Sequence, residues 1–344
     1  MPLVPSIRCR TALSTPVPAS LNFSRSLRAR KNLHDKSMLP PEGAHDIRRI
    51  CYKMRAKDFR GIIPPMMTAF TKDGEIYEKG IRNMVDFIVP HVQGLYPVGS
   101  YGSGPMMSIA ERKRTAEIVI DQVNGRVPVI VHVGCADTKN TVDLARHAES
   151  IGAAGVGAVT PYYNEYGQDC IYVHFKSILD AVNIPVFLYN NPKLSGNTVS
   201  ISTIEKLVND GLAGVKDSTF DIVNYYHTRM ALKDHPEVNL IIGTEAMLVA
   251  TFDAGAQAAV TGLGNVYPDL MARLYQDYLS GDRKKMMETQ ELALRVRQIT
   301  KFGPTVPTCH AILELRGVDA GYPRLPYTPV SSEIVQKVKA ALQE

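Results

Sequence analysis

Short, nearly continuous apolar runs recur along the chain from about residue 60 onward. Most are bounded by Gly or Pro, and they do not alternate apolar with polar residues as a half-buried strand does. Such runs are typical of strands that are buried on both faces of a parallel sheet. The pattern predicts eight strands, at 62–67, 94–100, 127–133, 156–161, 184–190, 212–218, 238–244 and 258–263.

Stretches with helical periodicity separate these runs. They lie at 109–123, 141–151, 170–182 and 202–209. Ser108 followed three residues later by Glu111 has the spacing of a capping box, which predicts a helix start. A strand–helix unit repeated eight times predicts an α/β fold, a closed (β/α)8 TIM barrel, with a doubly wound open sheet as the alternative.

More helical pattern follows the last predicted strand. Helices are predicted at 267–279, 284–299, 306–315 and 332–342. The first completes the barrel, and the others form a C-terminal helical extension too short to fold as an independent domain. We therefore expect a barrel over residues 56–280 and a C-terminal helical region, packed on the barrel, over residues 281–344.

The first 55 residues differ in composition from the rest of the chain. They are rich in Ser, Arg and Pro, have no acidic residue before Asp35, and contain no continuous apolar segment. They predict a disordered or targeting extension: a transit peptide, a tail, and a translation start at Met38 or Met54 all remain open. The expected location is the cytoplasm, or a mitochondrion or plastid if the extension is a transit peptide.

Charge and composition exclude several classes of protein. The formal net charge is +5, from 39 basic and 34 acidic residues, but six of the basic residues lie in the first 34 positions. The remainder gives no electrostatic reason to expect nucleic acid or an anionic membrane as a partner. No apolar run approaches the ~20 residues of a membrane span. Five scattered Cys without a C-x-x-C argue against a disulfide framework and a structural zinc site.

Candidate chemistry lies where the strands end, because barrel active sites form at the carboxyl ends of the strands. Lys216 is unusual there, since the apolar strand before it would bury its amine. Desolvation disfavours the charged form, and a neutral amine can attack a carbonyl carbon to form a Schiff base. The alternative is a lysine that reaches water or pairs with Asp217.

Neighbouring strand ends add further polar groups. Tyr189 closes the preceding strand, where its phenol can transfer protons, although a packed core tyrosine is the alternative. The loop at 99–104 offers Ser100 and backbone N–H groups suited to a carboxylate. It lacks the spacing of a phosphate-binding loop and of a hydrolase elbow. Nine dispersed His, of which only His132 lies in a predicted strand, lead us to expect no metal and no cofactor.

Six short motifs together resemble the family of dihydrodipicolinate synthase and N-acetylneuraminate lyase, which are Schiff-base-forming class I aldolases that use pyruvate. The resemblance covers about residues 59–342. The motifs are Gly61-Ile62-Ile63-Pro64-Pro65, Gly99-Ser100-x-Gly102, Pro161-Tyr162-Tyr163-Asn164, Leu188-Tyr189-Asn190-x-Pro192, Gly214-Val215-Lys216-Asp217-Ser218 and Arg324-Leu325-Pro326.

The resemblance implies roles for individual residues. Lys216 matches the Schiff-base lysine, Tyr189 the proton-transferring tyrosine, and Tyr163 a tyrosine that reaches across a dimer interface. The expected substrates are pyruvate or another 2-keto acid and an aldehyde, and the expected assembly is a homotetramer, a dimer of dimers. The expected substrate-binding residues are Ser100, Tyr101, Gly102, Thr244, Glu245 and Gly262.

Departures from the family pattern shape the expected function. Leu194 stands where the synthases have an arginine for the aldehyde's carboxylate, and Glu245 lies where the lyases place an acid. Both favour an N-acetylneuraminate lyase-like or 2-keto-3-deoxy sugar acid aldolase-like enzyme over a dihydrodipicolinate synthase, and a dehydratase is also open. Tyr101 and Ser103, which replace a hydroxyl residue and a Glu, leave open a catalytically inactive barrel that binds a keto acid.

Overall fold

The computed structural model describes residues 55–343. Its centre is a parallel sheet in the order β1-β7-β6-β5-β4-β3-β2. The strands are β1 (Gly61–Ile62), β2 (Ile130–His132), β3 (Gly155–Val159), β4 (Val186–Asn190), β5 (Gly214–Asp217), β6 (Asn239–Ile242) and β7 (Ala258–Ala259). Every residue of these strands is buried, as expected for a sheet that is covered on both faces.

The segment 93–97 closes this sheet into a barrel. The N–H of Gln93 donates to the carbonyl of Ile62 in β1 at 2.9 Å, and the N–H of Ile130 in β2 donates to the carbonyl of Leu95 at 2.9 Å. The segment therefore occupies the position of an eighth strand between β1 and β2. The prediction of a TIM barrel is confirmed, and the open sheet is excluded.

The prediction of a regular strand at 94–100 is wrong, because within it only Leu95 forms a bridge, with Val129. Prolines explain the difference. Pro97 has no N–H to donate, and Pro64 and Pro128 on the flanking segments also lack one, so a continuous ladder cannot form. The predicted strand at 258–263 is also shorter, since a 3-10 helix begins at Gly262.

Helices surround the barrel. The eight predicted helical stretches are present within three residues at each end. The helices are α1 (Glu78–Ile88), α2 (Ile109–Val123), α3 (Thr138–Ser150), α4 (Gln168–Leu179), α5 (Pro192–Ser195), α6 (Ile201–Asn209), α7 (Ile222–Ala231), α8 (Leu248–Asp253), α9 (Pro268–Ser280), α10 (Arg283–Ile299), α11 (Thr305–Leu315) and α12 (Ser332–Ala341). The capping box of α2 forms as predicted: Ser108 Oγ accepts from the N–H of Glu111, whose carboxylate accepts from the N–H of Ser108.

A compact set of side chains fills the barrel below the strand ends. It consists of Phe59, Ile63, Tyr96, Ile130, Phe187, Ile241, Ala258 and Val260. Gly157 in β3 makes room for one of them, because a Cβ at this position would lie 2.3 Å from the hydroxyl oxygen of Tyr96. The barrel interior is therefore filled with side chains at this level.

Of the C-terminal helices, α10 packs on the segment that follows β6, at the carboxyl ends of the strands. The side-chain amide of Gln290 in α10 donates to the carbonyl of Glu245 at 2.9 Å, and its oxygen accepts from the N–H of Val249 at 3.3 Å. No helix of residues 55–343 is long and apolar enough to cross a bilayer. Residues 1–54 lie outside the described part of the chain, so the expectations of an N-terminal extension and of its role in localisation stay predictions.

Candidate active site

A cavity of ≈ 580 Å³ opens at the carboxyl ends of the strands. Its strand-derived wall contains Tyr189 and Lys216, the last residues but one of β4 and β5, together with Gly243 and Val260, which follow β6 and β7. A second wall comes from α5, from the end of α10 and from the start of α11. The structure therefore places the cavity where the barrel fold predicts an active site.

The predicted nucleophile lies inside this cavity. Lys216 is only 4% exposed, and it pairs in register with Tyr189 across β4 and β5. Its Nζ lies 3.0 Å from the centre of the Tyr189 ring and 5.4 Å from that of Tyr96. Burial lowers the pKa of Lys216 below its ordinary value, although the Tyr189 phenolate would oppose this shift. Lys216 thus has the environment that an imine-forming amine requires.

The alternative interpretation, an ion pair between Lys216 and Asp217, is not what the structure shows. Neighbouring residues of a strand point to opposite faces, and Asp217 points away from the cavity. Its carboxylate accepts from the N–H and hydroxyl of Thr219 at 2.8 and 2.7 Å, and from the amide of Asn224 at 2.9 Å. The amine of Lys216 instead lies 3.5 Å from the hydroxyl of Ser218.

The phenol of Tyr189 is held by two side chains. The amide of Asn191 donates to its oxygen at 2.7 Å, and the hydroxyl of Ser100 lies 3.4 Å away. Burial by itself raises the pKa of this phenol, but the charge of Lys216 and the hydrogen bonds from Ser100, Lys216 and Asn191 outweigh it and lower the pKa to about 8. A phenol with this pKa can give and take a proton near neutral pH.

The loop at 98–104 is tightly folded beside Tyr189. Val98, a β-branched residue, has φ +64°, and Ser103 has φ +56°, both left-handed conformations that cost energy outside glycine. A Cβ at Gly104 would lie 2.1 Å from the carbonyl oxygen of Val98. The hydroxyl of Thr68 donates to the carbonyl of Gly102 at 2.7 Å and fixes the loop from outside. The chain therefore maintains local strain at this end of the cavity.

The loop leaves donors available. Within residues 55–343, the backbone N–H groups of Ser100, Tyr101 and Gly102 donate to no backbone carbonyl. Tyr101 lies against Gly262, where a Cβ would be only 2.3 Å from the Tyr101 hydroxyl oxygen. Burial, and then the charge of Glu245, raise the pKa of Tyr101 well above its ordinary value, so its hydroxyl stays protonated. Ser100 and Tyr101 line the cavity together with Lys216, whereas Gly102 does not, so the N–H groups and hydroxyls of Ser100 and Tyr101 are the ones that the loop offers to a carboxylate.

Glu245 is buried and paired in the cavity wall. Its Oε1 lies 2.7 Å from Nε of Arg297, a residue of α10. Thr244 caps the 3-10 helix that begins at Glu245, because its hydroxyl accepts from the N–H of Ala246 at 3.1 Å. Both predicted residues line the cavity, and Glu245 is neither a surface carboxylate nor one whose only partner is a helix terminus.

Tyr163 is not brought to the cavity by this chain. Its side chain is 95% exposed, and its backbone has φ +84°. A role in catalysis requires a second copy of the chain, so that role stays a prediction.

His132 faces the barrel interior, with its ring centre 6.1 Å from that of Tyr189, and burial lowers its pKa well below the ordinary value. Among the described residues no group of three or more His, Cys, Asp or Glu side chains could hold a metal ion.

Several lining residues were not predicted from the sequence. They are Asn191, Lys193, Phe220, Arg297, Lys301, Thr305 and Tyr327. Most belong to the C-terminal segments, which lie far from the strand ends along the chain, whereas Lys193 belongs to α5, directly after β4. Asn191, which directly follows the Tyr189-Asn190 strand end, is the only one of these whose position gave a usable signal.

Comparison with known proteins identifies the family of the chain. Residues 58–344 match the model of the dihydrodipicolinate synthetase family. An uncharacterised DapA-like lyase of Halobacterium salinarum is 37% identical over 268 residues, which cover 77% of this chain and 87% of the relative. A 4-hydroxy-tetrahydrodipicolinate synthase of Nitrobacter hamburgensis is 34% identical over 289 residues, covering 83% and 96%.

Solved structures are similar over the same region. YagE, a prophage protein of Escherichia coli K12 solved in complex with pyruvate, has a TM-score of 0.80 and 28% identity, covering 83% of this chain and 98% of that one. An N-acetylneuraminate lyase of Mycoplasma synoviae has a TM-score of 0.77 and 25% identity, covering 83% and 97%. The fold, the ordered strand-end motifs and these matches agree, and the chain belongs to the dihydrodipicolinate synthetase family of lyases.

Proposed function

We propose that the protein is a class I lyase that forms or cleaves a carbon–carbon bond between pyruvate, or another 2-keto acid, and an aldehyde. The observation that carries the proposal is the buried amine of Lys216 against the ring of Tyr189, at the base of a cavity with carboxylate-binding groups at one side. A pyruvate complex of the similar protein YagE supports the choice of keto acid.

The reaction begins with the keto acid carboxylate bound to the N–H groups and hydroxyls of Ser100 and Tyr101. The neutral amine of Lys216 attacks the keto carbon, the carbonyl oxygen takes the proton of Tyr189, and the nitrogen then gives its extra proton to the Tyr189 phenolate, which leaves a neutral carbinolamine. Tyr189 donates this proton to the hydroxyl, which departs as water, and the nitrogen lone pair forms the protonated imine.

The protonated imine withdraws electrons from the neighbouring carbon, and this allows a carbon–carbon bond to form or break there. The Tyr189 phenolate takes a proton from the neighbouring methyl carbon to give an enamine, whose carbon attacks the aldehyde carbonyl, and Tyr189 then donates that proton to the aldehyde oxygen. Cleavage is the reverse. Water finally releases the product from Lys216 and restores the free amine. Because Tyr189 and the loop are already in place, little reorganisation accompanies these steps.

The second substrate has more than one candidate. Leu194, which lines the cavity without charge, and the Glu245 carboxylate favour N-acetylneuraminate or a 2-keto-3-deoxy sugar acid as the compound that is cleaved, so that the aldehyde is a sugar. The similarity to 4-hydroxy-tetrahydrodipicolinate synthases favours aspartate semialdehyde as the alternative. Tyr163 would act from a neighbouring subunit of a homotetramer, which agrees with its exposure in one chain.

Borohydride reduction tests the proposal. The full-length protein is incubated with pyruvate, reduced with borohydride and analysed by peptide mass spectrometry. We expect a reduced pyruvyl adduct on Lys216, none in Lys216→Met, and an unchanged adduct in Lys206→Met, which removes an exposed lysine of α6. A wild-type protein that binds pyruvate but leaves Lys216 unmodified would instead be a keto-acid-binding barrel without turnover.

A further inference from the structure

The charges that line the cavity are unbalanced. Four basic side chains, Lys193, Lys216, Arg297 and Lys301, contribute to the wall, whereas Glu245 is the one acidic side chain there. Glu245 pairs with Arg297. The buried amine of Lys216 belongs to the imine chemistry. The reaction at Lys216 therefore gives no role to the two remaining cationic groups, Lys193 and Lys301.

These two lysines have no acidic partner in the described part of the chain. No carboxylate of residues 55–343 forms a salt bridge with either ammonium group, although 18 such bridges are present in this region. Surface lysines without partners are common, but two that line one concave cavity repel each other and focus a positive potential into it. Burial and the charges of Arg297 and Lys193 lower the pKa of Lys301, although the charge of Glu245 opposes this shift.

The two lysines come from elements that the barrel holds firmly. Lys193 lies in α5, directly after the strand end that carries Tyr189, and Lys301 lies just after α10. The end of α10 is fixed to the barrel by the Arg297–Glu245 ion pair. Hydroxyl groups of Thr305 and Tyr327 line the same cavity and can complete the hydrogen bonding of an oxyanion.

We propose that Lys193 and Lys301 bind an anionic group, a carboxylate or a phosphate, at the far end of the aldehyde substrate. The inference rests on the proposed aldolase function and narrows its second substrate. An uncharged aldehyde such as N-acetylmannosamine leaves both ammonium groups unpaired, so acidic aldehydes rank above uncharged ones. The uncharged Leu194 side chain, which lines the cavity beside Lys193, contributes no positive charge of its own.

Matched pairs of aldehydes test this assignment with pyruvate as the first substrate. Succinic semialdehyde is compared with butyraldehyde, and glyceraldehyde 3-phosphate with glyceraldehyde, by pyruvate consumption. Binding of each aldehyde to the borohydride-reduced pyruvyl protein, measured by calorimetry, gives the same comparison without turnover. We expect the wild type to prefer the anionic member of at least one pair by about tenfold or more, and the preferred pair distinguishes a carboxylate from a phosphate.

Substitutions test whether Lys193 and Lys301 cause the preference for anionic aldehydes. The double substitution Lys193→Met with Lys301→Met should reduce that preference by about tenfold, and Lys301→Glu should reverse it. Lys339→Met, which removes a charge from α12 outside the cavity, should keep it. Raising the salt concentration should weaken the preference of the wild type and leave that of the double variant unchanged.

The two proposals fail in different ways. A wild type without a pyruvyl adduct on Lys216 would overturn the aldolase function itself. A wild type that forms the adduct but binds and uses both members of each pair equally would overturn only the anion site. The same holds for a double variant that retains the full preference for anionic aldehydes.

Discussion

Lys216 and Tyr189 titrate as a unit, because their side chains are in contact inside a cavity with little water. A protonated amine stabilises the phenolate, and a neutral amine removes that stabilisation. The pKa of Lys216 is lowered by burial, while that of Tyr189 is brought to about 8 by Lys216 and its hydrogen-bond donors acting against burial. The phenol of Tyr189 therefore changes its proton occupancy near pH 8 while Lys216 carries its charge.

The first prediction concerns the pH dependence of imine formation. The reaction needs a neutral amine at Lys216 and a proton on Tyr189. Because the pKa of about 8 for Tyr189 depends on the charge of Lys216, the phenol beside a neutral amine ionises at a higher pH, and the rate should fall above about pH 8. Tyr189→Phe should lose this falling limb and should be slower by about 10²–10⁴-fold at pH 7. Stopped-flow detection of the imine over pH 6–10 checks both.

Tyr96→Phe is the matched control for this measurement. The Tyr96 ring also flanks Lys216, but its hydroxyl has no hydrogen-bond partner in the described residues, and burial raises its pKa well above the ordinary value. This variant should keep the falling limb of the wild type. A Tyr189→Phe protein whose profile matched the wild type would assign the proton transfer to another group.

For individual residues, the expectation that active-site groups follow the carboxyl ends of strands identified the cavity residues that the barrel strands contribute. It did not identify those that the C-terminal segments contribute. Lys216, Tyr189 and Ser100 were identifiable because each follows an apolar run directly. Arg297 and Lys301 were not, because a charged residue near a helix end has the same local pattern whether it faces a cavity or water. Only the packing of α10 on the barrel distinguishes the two cases.

Among the elements, helices were predicted more accurately than strands. Helical periodicity and caps are local, so the start of α2 was identified from Ser108 and Glu111 alone. The segment at 94–100 was apolar enough to be predicted as a strand, but prolines on it and on both neighbours remove ladder donors. Its place in the barrel depends on hydrogen bonds to β1 and β2, which no local pattern reports.

The second prediction concerns how the C-terminal segment is attached to α2. Arg324 pairs with Glu111, and its Nε also donates to the carbonyl of Gly74 at 2.8 Å. The Arg324 hydrogen bond, together with those at Ser108 and against the cost of burial, lowers the pKa of Glu111 to about 2. A carboxylate with a lowered pKa in the folded state stabilises the protein above its ordinary pKa of 4.5.

This stabilisation should be present at pH 7 and should be lost as the pH falls from about 4.5 to about 2. Glu111→Gln should lower the free energy of unfolding by about 1–2 kcal/mol at pH 7, and by much less at pH 2.5. Urea unfolding at both pH values measures the difference. Glu205→Gln, in α6 and without a salt bridge in the described residues, should show no such pH dependence.

For the molecule as a whole, the barrel and the C-terminal helices each contribute part of one cavity. The barrel provides Lys216 and Tyr189, and α10 with the segment after it provides Arg297 and Lys301. The overall fold could be predicted because strand and helix patterns repeat regularly. Which elements contribute residues to the cavity could not be predicted, because it depends on which helix covers the carboxyl ends of the strands.

Buried histidines give the whole molecule a further property. Burial lowers the pKa of His174 and of His310 to about 4, and that of His132 well below its ordinary value. Unfolding returns each ring to water, where its pKa is about 6.5. Between these values the unfolded chain therefore binds more protons than the folded protein, and acid favours unfolding.

The last prediction follows from this proton uptake. As the pH falls from about 6.5 towards 4, the free energy of unfolding should decrease by up to about 1.4 kcal/mol per pH unit for each of the three rings. Neither ring nitrogen of His310 has a hydrogen-bond partner in the described residues, so His310→Gln should reduce the slope by about one proton. Calorimetric unfolding in buffers of different ionisation enthalpy counts the protons directly. His227→Gln, which changes an exposed ring of α7, should leave the count unchanged, and an equal loss in both variants would show that burial is not the cause.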